Sequence, residues 1–245
     1  MSHGLFPELV SLIKESHTYL HQNGDTYTSF STLYGKYFVS PFNKDLVAKK
    51  VAEKNGTTQE AVLTEWDSKT ENGSRIDEAL ERYAIDGVIF SENLDVYELV
   101  KSVLDEYKDY HRCFEQVVVY NEDSKTAGSL DKGFLFGPIK SSNFGLSDFK
   151  AFESDDLHFH RGWCKAPFNY LPNTKYTKIA IQLSYYGHLF EELTGRRCRQ
   201  LFIHLINPIT KTHQKIPVMY MKSEIIKLLE LHKEKSKVIE EDISF

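Results

Sequence analysis

Three β-rich segments follow one another between residues 114 and 152, separated by a polar turn and by a Gly-Pro turn. They cover residues 114–120, 126–136 and 143–152, and the first contains three consecutive valines. Runs of β-branched and aromatic residues bounded by turn residues are typical of strands. Consecutive strands joined by short turns usually pair with one another, so the sequence predicts a three-stranded meander at the centre of the fold.

Segments with helical spacing or helix-capping residues lie on both sides of this meander. The pattern predicts helices over residues 5–20, 43–55, 57–69, 74–83, 94–110, 176–193 and 222–237. Residues 199–207 and 215–220 are predicted as late strands, and residues 27–40 as a strand or loop. The predicted fold class is therefore α/β or α+β, with a central mixed sheet flanked by helices.

The length of 245 residues favours one domain. Within it we expect a mainly helical portion at residues 1–112, the catalytic sheet core at 113–221 and a C-terminal helix at 222–245.

The composition argues against several classes of protein. Hydrophobic residues make up 41% of the chain, which argues against global disorder. No apolar run approaches the roughly 18–20 residues that span a bilayer, and the first twenty residues lack a signal-peptide pattern. An intracellular, cytoplasmic protein without a membrane partner is expected. The net charge of −5 counts against a protein that coats nucleic acid, but a local basic groove stays compatible with it.

Two acidic residues and a lysine stand inside the β-rich segments. Asp148 and Lys150 are two apart, so both point to the same face of a strand. Asp131 lies on the preceding predicted strand, and its carboxylate reaches Asp148 if the two strands pair. Two converging carboxylates repel each other unless a cation lies between them, and Mg²⁺ or Mn²⁺ favours such oxygen ligands. Burial of an unpaired carboxylate costs free energy, so acidic residues inside apolar β-rich segments are less ordinary than a chance Asp-x-Lys triplet.

The order of these residues resembles the RecB-like branch of the PD-(D/E)xK nuclease superfamily, whose core is the restriction-endonuclease-like fold. That branch has a glutamate, then Gly-x-x-Asp, Asp-x-Lys and a helix with Gln-x-x-x-Tyr. The corresponding residues here are Glu115, Gly128 to Asp131, Asp148 to Lys150, and Gln182 with Tyr186. The layout is similar to phage-type exonucleases and to the mitochondrial genome maintenance exonuclease, and the resemblance spans roughly residues 27–207.

The resemblance implies a role for each matching residue. Asp131 and Asp148 would ligate one or two Mg²⁺ or Mn²⁺ ions, with the backbone carbonyl of Phe149 as a further ligand. Lys150 would assist the attacking water. The remaining residues implied by the resemblance are Glu115 as a carboxylate near the metals, Gln182 and Tyr186 as groups that position Lys150 or the DNA backbone, and Ser29 and Ser31 as DNA-binding residues. Arg196 and Arg197 follow the Gln182 helix and are suited to bind DNA phosphates, but cations at the C-terminal end of a helix equally stabilise its dipole.

One position departs from the family pattern. The helical histidine that ligates metal in many relatives is here Asp77, unless Glu81 faces the site instead. Aspartate is a suitable ligand for Mg²⁺, so the site stays complete while its metal number is left open. The three cysteines are widely spaced and do not match the iron–sulfur version of the branch.

The implied activity is hydrolysis of DNA as an exonuclease on single-stranded or frayed ends. Three alternatives stay open: a lambda-type duplex exonuclease, which would form a toroidal oligomer; an endonuclease for branched or flap DNA; and a degenerate nuclease fold that only binds nucleic acid or a protein. The oligomeric state is not indicated by the sequence.

Overall fold

An eight-stranded mixed sheet is the centre of the protein. The computed structural model describes residues 4–86, 97–110, 112–137, 143–151, 156–207 and 209–243. The strands are β1 (Val10–Ile13), β2 (Thr18–His21), β3 (Thr26–Ser29), β4 (Arg112–Asn121), β5 (Thr126–Leu135), β6 (Asn143–Ala151), β7 (Arg197–Asn207) and β8 (Thr212–Pro217). The helices are α1 (Phe30–Tyr37), α2 (Lys44–Asn55), α3 (Gln59–Asp86), α4 (Tyr97–Asp105), α5 (Lys175–Thr194) and α6 (Lys222–Ile243). A mixed sheet flanked by helices confirms the predicted fold class.

The strand order places the predicted meander at the middle of the sheet. The path runs β1-β2-β3-β5-β6-β7-β8, and β4 pairs along the whole of β5. The pairs β3–β5 and β6–β7 are parallel, whereas the other pairs are antiparallel. Helix α5 lies in the connection between the parallel strands β6 and β7. The meander of β4, β5 and β6 is therefore confirmed.

Helices cover both faces of β6. On one face, α5 packs through Phe190 against Phe114 of β4 and Phe144 of β6, and α6 lies against α5. On the other face, α3 and α4 contribute an apolar cluster that includes Phe149 of β6 and Ile206 of β7. A strand with both faces covered is buried over most of its length, so a charged residue in the middle of β6, such as Asp148, is screened from water.

The N-terminal segment differs from the prediction. Residues 5–20 were expected to form a helix because their leucines have helical spacing, but β1 and β2 form an antiparallel hairpin instead. Within the two strands, the buried residues are Val10 on β1 and Tyr19 on β2, whereas Ile13 is 39% exposed. His17, in the turn, has a φ of 51°, which a helix excludes. Pairing with the sheet thus overrides the local periodicity, and the portion 1–112 is less helical than expected.

Two other segments also differ from their predictions. Residues 27–40 contain the short strand β3 followed directly by helix α1, which Ser29 caps by accepting a hydrogen bond from the Thr32 N–H at 3.2 Å. Helix α3 is continuous through Gly73, where the sequence predicted a break. By contrast, the cap of α2 is confirmed: Asn43 accepts from the Leu46 N–H, and Gly56 ends the helix in the left-handed conformation.

Two properties bear on expectations from the composition. Within the described ranges, no helix combines the length and the apolar character that crossing a membrane requires. Cys113, Cys164 and Cys198 are free thiols.

We expect the stability of the protein to fall with acidification through His232 on α6. Its imidazole is buried and hydrogen-bonded through Nδ1 to the Tyr37 hydroxyl of α1 at 3.1 Å, and burial lowers its pKa, with Lys36 adding to the effect. A histidine whose pKa is depressed by folding takes up its proton more readily when unfolded. The stabilisation is therefore complete above the unfolded pKa of about 6.5 and is lost as the pH falls below it.

Urea unfolding of the wild type and of His232→Gln between pH 7.5 and 5 tests this expectation. The unfolding free energy should depend less steeply on pH in the variant. The difference in slope should correspond to the uptake of at most about one proton on unfolding. Equal slopes in the two proteins would contradict the role of His232. His158→Gln, which changes an exposed histidine, is the matched control.

Candidate active site

Strand β6 places Asp148 and Lys150 on the sheet face that α5 covers. Asp148 is only 2% exposed, and its Oδ2 lies 2.6 Å from the ammonium of Lys150. The same ammonium donates a hydrogen bond to the backbone carbonyl of Phe149 at 3.2 Å. The carboxylate oxygen of Asp148 and the carbonyl oxygen of Phe149 thus face the same point, which the ammonium group of Lys150 occupies. These are donors of the kind that Mg²⁺ and Mn²⁺ bind, so the residues fit such an ion.

Asp131 reaches this point from the neighbouring strand. The backbone pairing of β5 with β6 ends at Lys132 and Ser147, and beyond it the Phe149 N–H donates to Oδ2 of Asp131 at 3.1 Å. The Asp131 carboxylate therefore takes the place of the backbone carbonyl that would accept this hydrogen bond in a regular strand pair. It is held against the segment between Asp148 and Lys150. The structure brings the three predicted residues together through the backbone of Phe149.

Helix α5 adds the predicted Gln182 and Tyr186 to the same face. The Gln182 amide donates to the Tyr186 hydroxyl at 3.0 Å. Burial raises the pKa of Tyr186 well above its usual value, and the negative charges of Asp131 and Asp148 contribute in the same direction. The phenol therefore keeps its proton and lies close enough to sense both carboxylates.

Gly128 allows Tyr186 to approach β5. A Cβ at this position would lie 2.2 Å from Cε1 of the Tyr186 ring, closer than atoms can pack. The glycine and the aspartate of the Gly-x-x-Asp segment thus have separate tasks. Gly128 admits the tyrosine of α5, and Asp131 contacts β6.

Two residues next to this cluster were missed at the level of sequence. Lys178 is four residues before Gln182 and so shares its helical face. Although its side chain reaches solvent, desolvation lowers the pKa of Lys178, and the nearby charge of Lys150 lowers it further. The four-residue spacing was a usable signal for Lys178.

The second missed residue is Tyr19 on β2. Burial raises the pKa of Tyr19 to about 12, the backbone of Ser129 opposes this by hydrogen bonding, and the charge of Asp131 adds to it. The charge of Asp131 thus acts on the Tyr19 phenol. No sequence signal indicated this interaction, since the segment was predicted to be helical.

Glu115 lies elsewhere. Its carboxylate forms an ion pair with Lys132, its direct neighbour across the β4–β5 pair. The Lys132 ammonium lies over the ring of Tyr107, 5.2 Å from its centroid, on the face opposite α5. The left-handed conformation of Gln116, with φ 50°, interrupts the alternation of β4 just after Glu115. The structure therefore brings Glu115 together with Lys132 and not with Asp131 or Asp148, and a role of Glu115 near the metals stays a prediction.

The remaining predicted residues are scattered. Arg197 pairs with Asn143 at the start of β6, about 17 Å along the strand from Asp148. Arg196 lies just beyond the C-terminal end of α5, so neither arginine joins the cluster. Ser29 is engaged as the cap of α1, and Ser31 is exposed in its first turn. The side chains of Asp77 and Glu81 lie outside the described residues.

A separate group of side chains on the opposite face could hold a metal ion. It consists of Glu106, His204 and His213, which each offer a ligand atom within 4.8 Å of the others. Burial lowers the pKa of His204 to about 2, and His213 and Lys215 add to the effect. Burial also lowers the pKa of His213, against the opposing charge of Glu106. Both imidazoles are therefore neutral at physiological pH.

No family model matches this chain, and no curated protein matches its sequence. Among solved structures, a candidate exonuclease from Eubacterium rectale is 15% identical, and the match covers 85% of this chain and 79% of that chain with a TM-score of 0.42. The protein SSO0001 is also 15% identical, with 83% and 73% of the chains covered and a TM-score of 0.34. Similarity this low does not assign a function.

Proposed function

We propose that the protein hydrolyses phosphodiester bonds of DNA with one or two Mg²⁺ or Mn²⁺ ions, as a member of the RecB-like branch of the PD-(D/E)xK nucleases. The observation that carries the proposal is the meeting of Asp131, Asp148 and Lys150 around the backbone of Phe149. Three separate sequence elements contribute to one small region: Gly128 to Asp131, Asp148 to Lys150, and the Gln182–Tyr186 pair. A surface ion pair alone would not require this convergence.

The carboxylates of Asp131 and Asp148 and the carbonyl of Phe149 would hold the ion. Bound Mg²⁺ or Mn²⁺ supplies an activated water and offsets negative charge on the phosphate. Asp77 stays a prediction as a further ligand. Because β6 is buried on both faces, the ligands of β6 are fixed before substrate arrives, which favours electrostatic stabilisation of the transition state.

Lys150 is the group closest to the site of attack. Once its ammonium is released from Asp148 and Phe149, the flexible side chain of Lys150 would turn toward the scissile phosphate. There it would orient the attacking water and stabilise charge on the phosphate oxygens. The Gln182 amide and the protonated Tyr186 hydroxyl would limit the positions that Lys150 can take.

The substrate we propose is DNA with single-stranded or frayed ends. Lys178 adds a positive charge beside Lys150, and the exposed Ser31 hydroxyl is available for a phosphate contact of the kind that positions nucleic acids. An exonuclease on such ends agrees with the layout of the sequence motifs.

Degradation of matched DNA substrates tests the proposal. We expect the wild type to degrade end-labelled linear single-stranded DNA in Mg²⁺ or Mn²⁺, to leave a circle of the same sequence intact, and to do neither in a chelator. Cleavage of the circle would identify an endonuclease. Preference for duplex ends, together with a ring-shaped oligomer in light scattering, would identify a lambda-type exonuclease.

A different result would contradict catalysis altogether. If the folded protein binds DNA in a chelator and cleaves no substrate in either metal, it is a binding protein on a nuclease-like scaffold.

A further inference from the structure

A second group of potential ligands lies on the face of the sheet opposite Asp131 and Asp148. It combines Glu106, immediately after α4, with His204 of β7 and His213 of β8. His213 pairs with Ile206, so it is the diagonal neighbour of His204 on the same face of the β7–β8 hairpin. Three elements that are far apart in sequence thus bring one carboxylate and two imidazoles together.

The two imidazoles direct nitrogen atoms at each other. Nδ1 of His204 lies 2.6 Å from Nε2 of His213, and the ring planes differ by only 9°. The other nitrogen of His213 is 3.5 Å from Oε1 of Glu106. Two neutral imidazole nitrogens that share one point, with a carboxylate beside them, form a donor set that suits transition metals better than Mg²⁺.

We propose that Glu106, His204 and His213 form a binding site for one dication of the Zn²⁺ class. The ion would bind Nδ1 of His204 and Nε2 of His213 after a modest separation of the rings. The proton between these two nitrogens would move to the outer nitrogen of the ring that carries it, so both imidazoles stay neutral. The Glu106 carboxylate, whose ligand atom lies within 4.8 Å of theirs, would turn from Nδ1 of His213 to the ion, and water would complete the coordination. Because the ligands lie on the face opposite α5, the site is independent of the proposed nuclease activity.

The surroundings of His204 already resemble the outer shell of a metal site. Its Nε2 is hydrogen-bonded to the Tyr107 hydroxyl, which also contacts the hydroxyl of Ser147. Such partners fix the ring orientation of a ligating histidine. Phe149 packs on the His204 ring with a centroid distance of 5.3 Å. A bound ion would therefore join α4, β7 and β8 behind the segment of β6 that carries Asp148.

Lys215 opposes the binding of a cation at this site. Its ammonium lies 3.0 Å from Oε2 of Glu106 and over the ring of Phe202. The repulsion between this charge and a dication should weaken binding without preventing it, since Oε1 faces His213. Removal of the charge in Lys215→Met should therefore strengthen Zn²⁺ binding by about tenfold, the effect of about 1.4 kcal/mol.

The test is titration of the metal-free protein with Zn²⁺ in the presence of a competing chelator, with Co²⁺ absorption as a second readout. We expect one tightly bound Zn²⁺ per chain and a loss of affinity of at least about 100-fold in His213→Ala and Glu106→Gln, since these remove ligands rather than supporting groups. Asp148→Asn should bind Zn²⁺ at this site as the wild type does, which separates the result from the proposed function.

Matched controls decide the location of the ion. His158→Ala and His160→Ala remove exposed histidines in another segment and should leave the affinity unchanged. The proposal is overturned if the wild type binds no Zn²⁺, if His213→Ala binds it equally, or if affinity is lost in the His158 or His160 variants instead. Weaker binding in Lys215→Met would also contradict it.

Discussion

Replacement of Lys150 by alanine is expected to lower the turnover number for DNA cleavage by about a thousandfold. The ammonium is the only positive charge that the structure places in direct contact with Asp148 among the described residues. Its loss would remove stabilisation of the charge that develops on the phosphate, while the carboxylates proposed to hold the ion would stay in place. The effect should appear in the turnover number more than in the Michaelis constant, since the group acts mainly in the transition state.

Asp148→Asn should reduce cleavage at least as strongly. The substitution keeps the shape of the side chain but removes the negative charge that attracts the ion. Because the Lys150 ammonium loses its partner as well, excess Mn²⁺ is expected to restore only part of the activity.

Initial rates of nucleotide release from end-labelled single-stranded DNA measure both effects. Asp123→Asn and Lys233→Ala are matched controls, since they change the same charges in a surface ion pair of 3.0 Å. Both controls should retain wild-type rates. A Lys150→Ala protein that folds and cleaves within about threefold of the wild type would remove Lys150 from the mechanism.

The second large effect concerns stability. Glu115→Ala should lower the free energy of unfolding by about 3–5 kcal/mol, because it leaves the Lys132 ammonium without its partner in a site where only 6% of that side chain is exposed. The double variant Glu115→Ala/Lys132→Met should recover most of the loss, since no buried charge is left.

Denaturant unfolding of the four proteins in this cycle gives the coupling between the two residues. The same samples separate the structural role of Glu115 from the catalytic role that the sequence resemblance implied. Because Glu115 pairs with Lys132 and not with Asp131 or Asp148, the folded double variant should keep metal-dependent cleavage. A stable double variant without activity would return Glu115 to the active site.

The positions of the residues in the candidate active site were more predictable from sequence than the periphery of the fold, for a physical reason. Asp131, Asp148 and Lys150 stand in strands whose apolar neighbours fix the register, so their spacing translates directly into a common location. Gln182 and Tyr186 follow the repeat of one long helix. The positions of these side chains thus depend on strands β5 and β6 and on helix α5, which the local sequence already predicts.

The errors arise where contacts between distant segments decide the structure. The hairpin of β1 and β2 is formed because Tyr19 and Val10 become buried against the sheet, which a local helical pattern does not show. Glu115 leaves the site through a single left-handed residue, Gln116, that no motif indicates. The group at Glu106 depends on the approach of α4 to the β7–β8 hairpin, so its members are not neighbours in any sequence pattern.

We propose above all that a divalent ion held by Asp131 and Asp148 is required for cleavage. The most direct measurement is nucleotide release from end-labelled linear single-stranded DNA, followed as the wild type is supplied with Mn²⁺, then a chelator, then excess Mn²⁺, beside Asp148→Asn. We predict that cleavage starts, stops and resumes in the wild type and stays at least about a thousandfold lower in the variant at limiting Mn²⁺. Cleavage that continues in the chelator, or that is equal in Asp148→Asn, would contradict the claim.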